Sequence, residues 1–195
     1  MQKTFWAGFG FFVGAWLAGN PPSYALPGEP VRTVEAWIQG NPTLRPQPGE
    51  RLVINRTDSP ALRFNFQASV FPVSGVAPIQ GTSLIRTERF SFFDLINGVD
   101  SNRMEESLRE IYGPAIYVDY RRALPLFSYP NSNTTVSVNP KVLLQGEVRE
   151  GDLYAYWLEI ASDETGVAYS GRMAVFLKED LPRLLEQLNT QSPNQ

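Results

Sequence analysis

The chain has 195 residues with a formal net charge of −3, and it contains neither cysteine nor histidine. These absences exclude disulfides, thiolate nucleophiles, Ser-His-Asp and Cys-His catalytic groups, and metal centres built from cysteine or histidine. A mildly acidic composition is also atypical of nucleic-acid-binding proteins, so we expect no nucleic-acid partner.

The first 25 residues have the three-part pattern of a secretory signal peptide. Lys3 gives a positive start, residues 4–19 are uncharged and mostly apolar, and Ser23 and Ala25 are the small residues of a cleavage site. The apolar run is shorter than the about 20 residues that a membrane-spanning helix needs. We therefore expect export, with a signal peptide at 1–25, one domain at 26–190 and a disordered tail at 191–195. An uncleaved segment is the alternative, and it would be the domain's only membrane contact.

Apolar spacing and chain breakers predict a helix and three strands in the first half of the domain. Val34, Trp37 and Ile38 share one side of a helix that stops at Gly40. Strands are predicted at 51–55, 62–71 and 83–90. The second strand alternates apolar and polar residues, which indicates one buried face and one face exposed to water or to a ligand.

The second half of the domain predicts two further helices and four strands. Asp100 or Ser101 suits the N-terminal cap of a helix that runs to Tyr112 and ends at Gly113. Asp180 suits the cap of a final helix. That helix has an apolar stripe of four leucines: Leu181, Leu184, Leu185 and Leu188. The predicted strands lie at 115–120, 141–149, 153–161 and 167–177.

Short turns join the last three predicted strands, which favours antiparallel neighbours. We therefore expect an α+β fold, with a curved antiparallel β-sheet of about 5–7 strands covered by two or three α-helices.

Five acidic residues are the first candidates for carboxylate chemistry. They are Asp94, Asp100, Glu105, Glu106 and Glu110. A glycoside hydrolase needs two carboxyl groups on opposite sides of the scissile bond, one of them kept protonated by burial. Acidic residues near the start of a helix also stabilise the helix dipole. We favour this structural interpretation and assign no catalytic residue.

Arginines recur on or near the predicted strands and form a candidate anion site. They are Arg63, Arg86, Arg89, Arg121 and Arg122. Guanidinium groups that converge would bind a carboxylate or phosphate in a planar fork. The alternative is a set of surface ion pairs with residues such as Glu88 and Asp119, and strand order decides between the two.

Tyr154, Tyr156 and Trp157 are the main aromatic concentration. The two tyrosines share a strand face and Trp157 lies on the other. They could stack on a sugar, pigment or peptide, but we favour packing beneath a helix. No serine belongs to a Gly-x-Ser-x-Gly or Ser-x-x-Lys motif, and the aspartates lack the spacing of a calcium loop. We expect no cofactor and no metal.

Three stretches, together with the signal peptide, resemble exported proteins of unknown function from cyanobacteria. They lie at 34–46 (VEAWIQGNPTLRP), at 62–70 (LRFNFQASV) and within 86–120 (RFSFFDLINGVDSNRMEESLREIYGPAIYVDY). The resemblance spans most of the exported chain. It implies a periplasmic or thylakoid-lumen setting, no known activity and no catalytic residue.

Three functions fit these observations. The first is a non-enzymatic exported domain that binds a protein or small-molecule partner, which the alternating strands and the shortage of catalytic residue types favour. The second is a carboxylate-dependent hydrolase acting on glycan or cell-wall material through the acidic residues at 94–110. The third is an accessory factor of a membrane complex, for which helices on both faces of the sheet would be suitable.

Overall fold

The computed structural model describes residues 26–75, 83–129, 137–139 and 142–191. Its strands are β1 (Val53–Ser59), β2 (Leu62–Ser69), β3 (Thr87–Asp94), β4 (Leu124–Tyr129), β5 (Ser137–Asn139), β6 (Val142–Glu150), β7 (Ala155–Ser162) and β8 (Ala168–Phe176). Its helices are α1 (Val31–Gly40), α2 (Ser101–Tyr112), α3 (Pro114–Arg122) and α4 (Leu181–Gln191), with a 3₁₀ turn at Lys178–Asp180. The predicted signal peptide lies outside these residues, as does the predicted tail beyond Gln191.

Every strand pair in the sheet is antiparallel. Seven strands follow the order β1-β2-β3-β8-β7-β6-β4, and β5 also pairs with β6. The sheet is open and curved, so the predicted α+β class is confirmed. Four α-helices pack with it among the described residues, where two or three were expected. None of the helices in this part of the chain is long and apolar enough to cross a membrane.

The first face of the sheet packs against α1, α2 and α3 and holds the larger core. Phe66, Phe90 and Met173 point to this face from β2, β3 and β8 and are fully buried. Trp37 of α1 stacks on Tyr112 of α2 with their ring centroids 5.7 Å apart. Aromatic stacking of this kind adds to the stability gained from burying the rings themselves.

The alternation predicted along β2 is confirmed. Phe64, Phe66 and Ala68 are buried on the first face. Arg63 and Asn65 therefore point to the second face, because side chains along a strand alternate between the two sides of a sheet.

The core beneath α2 contains an acidic side chain, Glu88 of β3. Glu88 has no exposed surface, and neither its carboxyl oxygens nor the Tyr112 hydroxyl makes a hydrogen bond of normal geometry. Burial raises the pKa of Glu88 to about 8, and the nearby Tyr112 hydroxyl offsets part of this effect. Glu88 is therefore mostly protonated at neutral pH, and it takes no part in the surface ion pair that was considered for it.

Asp119 of α3 fixes the turn between β6 and β7. Its carboxylate accepts hydrogen bonds from the backbone N–H groups of Asp152 (2.9 Å), Leu153 (3.0 Å) and Tyr154 (3.3 Å), and from the Tyr156 hydroxyl (2.6 Å). These contacts satisfy a carboxylate that is only 7% exposed. The surface ion pair considered for Asp119 is therefore wrong, because its oxygens bind the turn.

The second face of the sheet is covered at one end by α4. Leu181, Leu184 and Leu188 pack there with Ala174 and Phe176 of β8. The predicted final helix and its leucine stripe are confirmed. Leu185 lies at the margin of this cluster and is half-buried.

The strand predicted at 115–120 is wrong, because residues Pro114–Arg122 form α3. Several of these residues favour strands, which explains the prediction. Pro114 lies at the start of the helix, where its fixed φ is favourable. Ile116 and Tyr120 are buried at helical spacing, so packing on the sheet overrides the local preference.

Other boundaries differ by a few residues. The strand predicted at 51–55 is β1 at 53–59, and the one predicted at 83–90 is β3 at 87–94. β4 was not predicted. Asp100 caps α2 as expected, since its Oδ1 accepts a hydrogen bond of 2.8 Å from the Arg103 N–H.

Replacing Glu88 by glutamine tests the buried carboxyl. The folded-state pKa of about 8 lies above the ordinary value of 4.5, so folded Glu88 keeps its proton between these pH values while the unfolded chain loses it. The contribution of Glu88 to the free energy of unfolding is therefore full below about pH 4.5, falls as pH rises, and is lost above about pH 8. We expect urea unfolding to show Glu88→Gln gaining stability over wild type across this range, by an amount on the order of a few kcal/mol. If the free energies of unfolding of Glu88→Gln and wild type differed by the same amount at pH 4.5 and at pH 8, the raised pKa of Glu88 would be contradicted.

Leu184→Asp tests the docking of α4. Leu184 is only 1% exposed, so the substitution places a charge in an apolar interface and should lower the free energy of unfolding by roughly 3 kcal/mol or more. Leu185→Asp should cost less, because Leu185 is half-buried. Asn189→Asp, which adds the same charge at an exposed position of α4, is the matched control for urea unfolding. Equal stability of Leu184→Asp and the control would show that α4 is not docked.

Candidate functional site

At the end away from α4, none of the residues that the structure describes covers the second face of the sheet. Two depressions of about 370 Å³ and 340 Å³ lie there and share Ser91 and Ser170. Together they cross the sheet from β1 to β6, and we call this region the trough. Its side chains on this face are Asn55, Thr57, Arg63, Asn65, Ser91, Phe93, Leu144, Glu159, Ala161, Ser170 and Arg172.

Strand register places a line of polar residues across the trough. Tyr129 lies opposite Gly146, Gly146 opposite Glu159, and Glu159 opposite Arg172. The line continues through β3, β2 and β1. We call it the polar row, and its members are Tyr129, Gly146, Glu159, Arg172, Ser91, Asn65 and Asn55. Directly opposed side chains on one sheet face are close enough to interact.

Gly146 allows the polar row to be continuous. A Cβ at this position would collide with the Tyr129 ring, so the ring lies directly over the Gly146 backbone. The Tyr129 hydroxyl thereby reaches past β6 and donates a hydrogen bond of 2.5 Å to Glu159 Oε1. The Trp157 indole N–H donates to the same hydroxyl at 3.0 Å. Burial raises the pKa of Tyr129 to about 12, so this hydroxyl keeps its proton and remains a donor.

Arg172 forms an ion pair with the other oxygen of Glu159. Its guanidinium also lies over the Trp157 ring, 5.2 Å from the ring centroid. Its side chain is 42% exposed, against 11% for Glu159. Glu159 is therefore fully engaged, while Arg172 keeps donors directed toward the trough.

The structure brings two of the five predicted arginines to this face and separates the other three. Arg63 borders the trough with its guanidinium 4.4 Å from the Phe93 ring centroid. Arg89 points to the same face at the border with α4, diagonal to Arg172. No described acidic residue pairs with either one.

Arg86, Arg121 and Arg122 do not belong to this site. Arg86 binds both carboxylate oxygens of Asp180, at 3.0 and 2.6 Å, and so ties β3 to the start of α4. Arg121 pairs with Glu105 at 2.8 Å on the helical side of the sheet. Arg122 lies exposed at the end of α3. The structure therefore does not bring the five arginines together in one site.

The acidic residues at 94–110 serve structural roles. Asp94 is fully buried and its carboxylate accepts hydrogen bonds from the backbone N–H groups of Ile96 and Asn97 and from Arg103. These bonds, with that of Asn97 the strongest, hold the pKa of Asp94 well below its usual range. Asp100 caps α2.

The three glutamates of that group lie along α2. Glu105 pairs with Arg121, Glu106 pairs with Arg109 at 2.8 Å, and Glu110 is exposed. Across the described ranges, no three acidic side chains meet in a group that could hold a metal ion. These contacts are structural, but the first turn of α2 contains no acidic residue, so of this group only the capping Asp100 lies where it stabilises the helix dipole.

A larger depression of about 530 Å³ lies at the edge of the first face, between α2 and the segment that follows α1. Arg45, Arg56, Phe64 and Glu110 border it, and Arg56 lies 4.4 Å from the Phe64 ring centroid. Its charged side chains form no hydrogen-bonded cluster with one another within the described residues. Each depression of the trough is smaller than this one, but polar side chains of the trough are held by one another, as a binding site requires.

The aromatic residues divide between core and site. Tyr156 is fully buried on the first face, as the packing interpretation required, and burial raises its pKa well above the ordinary value. Trp157 points to the second face, where it contacts both the α4 cluster and the polar row. The prediction that the Trp157 and Tyr156 side chains lie on opposite faces of the sheet is confirmed.

The sequence interpretation missed the three central side chains of the site: Tyr129, Glu159 and Arg172. The signal for two of them was present in the hairpins. The turn at 163–166 sets the pairing of β7 with β8, and this pairing places Glu159 opposite Arg172. Tyr129 had no such signal, because β4 and β6 are not joined by a short turn: β4 ends at Tyr129 and β6 begins at Val142.

Comparisons with protein-family models, with curated proteins and with solved structures each found no match to this chain. The resemblance to exported cyanobacterial proteins therefore stays a prediction, and the geometry of the trough carries the functional argument.

Gly146→Ala tests the polar row. The added methyl must push the Tyr129 ring away, which breaks its bonds to Glu159 and Trp157. We expect a changed near-UV circular dichroism spectrum and a loss of about 1–3 kcal/mol in urea unfolding. Gly40→Ala is the control, because a Cβ there meets nothing within 4 Å and Gly40 lies in helix α1. A neutral effect at Gly146 would mean that the Tyr129 ring is not held in place.

Proposed function

We propose that this chain is an exported, non-enzymatic domain that binds a small-molecule ligand in the trough, in the periplasm or thylakoid lumen. The observation that carries the proposal is the polar row across an uncovered sheet face. Tyr129, Glu159 and Arg172 are linked by side-chain bonds, so they are held in place before any ligand arrives. Such preorganisation reduces the entropy lost on binding.

The dimensions of the trough suit a small molecule. Its two depressions, of about 370 and 340 Å³, fall in the size range of ligand pockets, roughly 300–1,000 Å³. Small side chains, Ser91, Ala161 and Ser170, form its floor, so a ligand can approach the sheet closely. Aromatic and aliphatic side chains, Phe93 and Leu144, border it.

The hydrolase alternative has less support. A glycosidase needs two carboxyl groups about 5–10 Å apart with the substrate between them. Glu159 is the carboxylate among the described residues that line the trough, and its oxygens are bound by Tyr129 and Arg172. Helices pack on both faces of the sheet, which would suit the accessory-factor alternative. A fold by itself does not establish a function.

Blocking the trough tests the binding function. The full chain is isolated without denaturation from its source organism and examined by native mass spectrometry. Wild type and Ser162→Phe should carry a bound small molecule, and Ala161→Phe should not, because phenylalanine at 161 fills the floor of the trough. Ser162 is the next residue of β7, follows a register irregularity of that strand and does not line the trough, which makes it the matched control. Retention of the ligand by Ala161→Phe would refute the location, and absence of ligand from every form would count against the function.

Export has its own test. The signal-peptide pattern predicts that N-terminal sequencing of the protein from its source organism gives a chain starting at Leu26. A chain that still begins at Met1 would contradict cleavage and favour the anchored form.

A further inference from the structure

The trough and its border carry more positive than negative charge. This side of the sheet has three guanidinium groups there, those of Arg63, Arg89 and Arg172, and one carboxylate, that of Glu159. The chain as a whole has a net charge of −3, so this excess is local and opposite in sign to the overall charge. A concave surface with one sign of charge concentrates ligands of the other sign.

The excess lies around Arg172. Glu159 compensates one guanidinium, and Arg89 stands diagonally across from Arg172 without an acidic partner among the described residues. Burial lowers the pKa of Arg172, and the charge of Arg89 lowers it further. Burial also lowers the pKa of Arg89. A second anionic group would therefore be stabilised here.

The space beside Arg172 can accept such a group together with an apolar body. The Ser91 side chain lies next to Arg172 in the polar row, and no described residue hydrogen-bonds its hydroxyl. On the other side of β8 the depression is bordered by Ala161 of β7 and Leu144 of β6, with the Gly171 backbone beneath. A polar, positively charged end and an apolar end therefore meet in one cavity.

We propose that the ligand of the trough is an amphipathic organic anion, whose carboxylate binds Arg172 with Arg89 supplying the second positive charge, and whose apolar body lies along Leu144 and Ala161. This inference rests on the proposed binding function and adds the chemical class of the ligand. Arg172 keeps its ion pair with Glu159 in the complex, since its planar guanidinium has donors for two partners.

The test compares three probes with the same chain and different charge: octanoate, octan-1-ol and octylamine. Binding to the full-length protein is measured by isothermal titration calorimetry. We expect octanoate to bind at least about tenfold more tightly than octan-1-ol, and octylamine to bind most weakly. Among the three probes, added salt should lower the affinity of octanoate alone. Ala161→Phe should abolish binding and Ser162→Phe should preserve it.

Variants of the arginines locate the headgroup. Arg172→Gln should lower the affinity for octanoate by about tenfold and leave the affinity for octan-1-ol unchanged. Because Arg172→Gln leaves Glu159 without its cation and could disturb folding, Arg89→Gln is the second variant. Arg89 has no acidic partner among the described residues, so its loss strands no carboxylate. Arg32→Gln, on the exposed side of α1, should have no effect.

The possible results separate the two proposals. Equal affinities for octanoate and octan-1-ol, both lost in Ala161→Phe, would overturn the anionic ligand and leave the trough as a binding site. Tight octanoate binding that neither arginine variant weakens would also overturn the assignment of the headgroup. No saturable binding of any probe would overturn the amphipathic anion, and retention of a natural ligand in the mass spectrometry experiment would then decide the binding function separately.

Discussion

The hydrogen bonds of Asp119 are the constraint on which the arrangement of the site depends. Its carboxylate holds three successive backbone N–H groups of the β6–β7 turn, from Asp152 to Tyr154. That turn sets the register of β6 on β7, and a slip by one residue would move every side chain to the opposite face. Gly146 would then no longer lie beside Glu159, and the Tyr129 ring could not cross β6. A buried contact on the helical face thus determines the order of polar groups on the other face.

The second face has two halves with different environments because α4 is short. Its 11 residues cover the end of the face that carries Ala174 and Phe176, and that end is apolar. The other end keeps a polar row and a floor of small side chains. A sheet face that is not covered by protein usually carries polar residues facing water. The trough departs from this by linking its charged and hydroxyl groups to one another across β4, β6, β7 and β8.

Local patterns were sufficient to predict much of this fold. Alternation along β2, the glycine turn after β6 and the leucine stripe of α4 are each properties of a few neighbouring residues. The helix α3 could not be predicted in this way, since Ile116 and Tyr120 become helical through packing on the sheet. The site was harder for the same reason. The five arginines look equivalent in the sequence, and only the strand order separates Arg63 and Arg89 from Arg86, which Asp180 binds.

The charged groups that lack a partner differ in how they can be neutralised. Glu88 is buried without an ion pair, and it becomes neutral by holding a proton, as its pKa of about 8 allows. Arg89 has no such option, because a guanidinium stays protonated at any physiological pH. Its charge is partly buried at the border of the trough, so an anion from outside the described part of the chain would stabilise it. Arg63 differs, because its side chain is exposed and water screens its charge. An uncompensated arginine beside a preformed cavity is therefore a stronger indication of an anionic ligand than an uncompensated glutamate is of a cationic one.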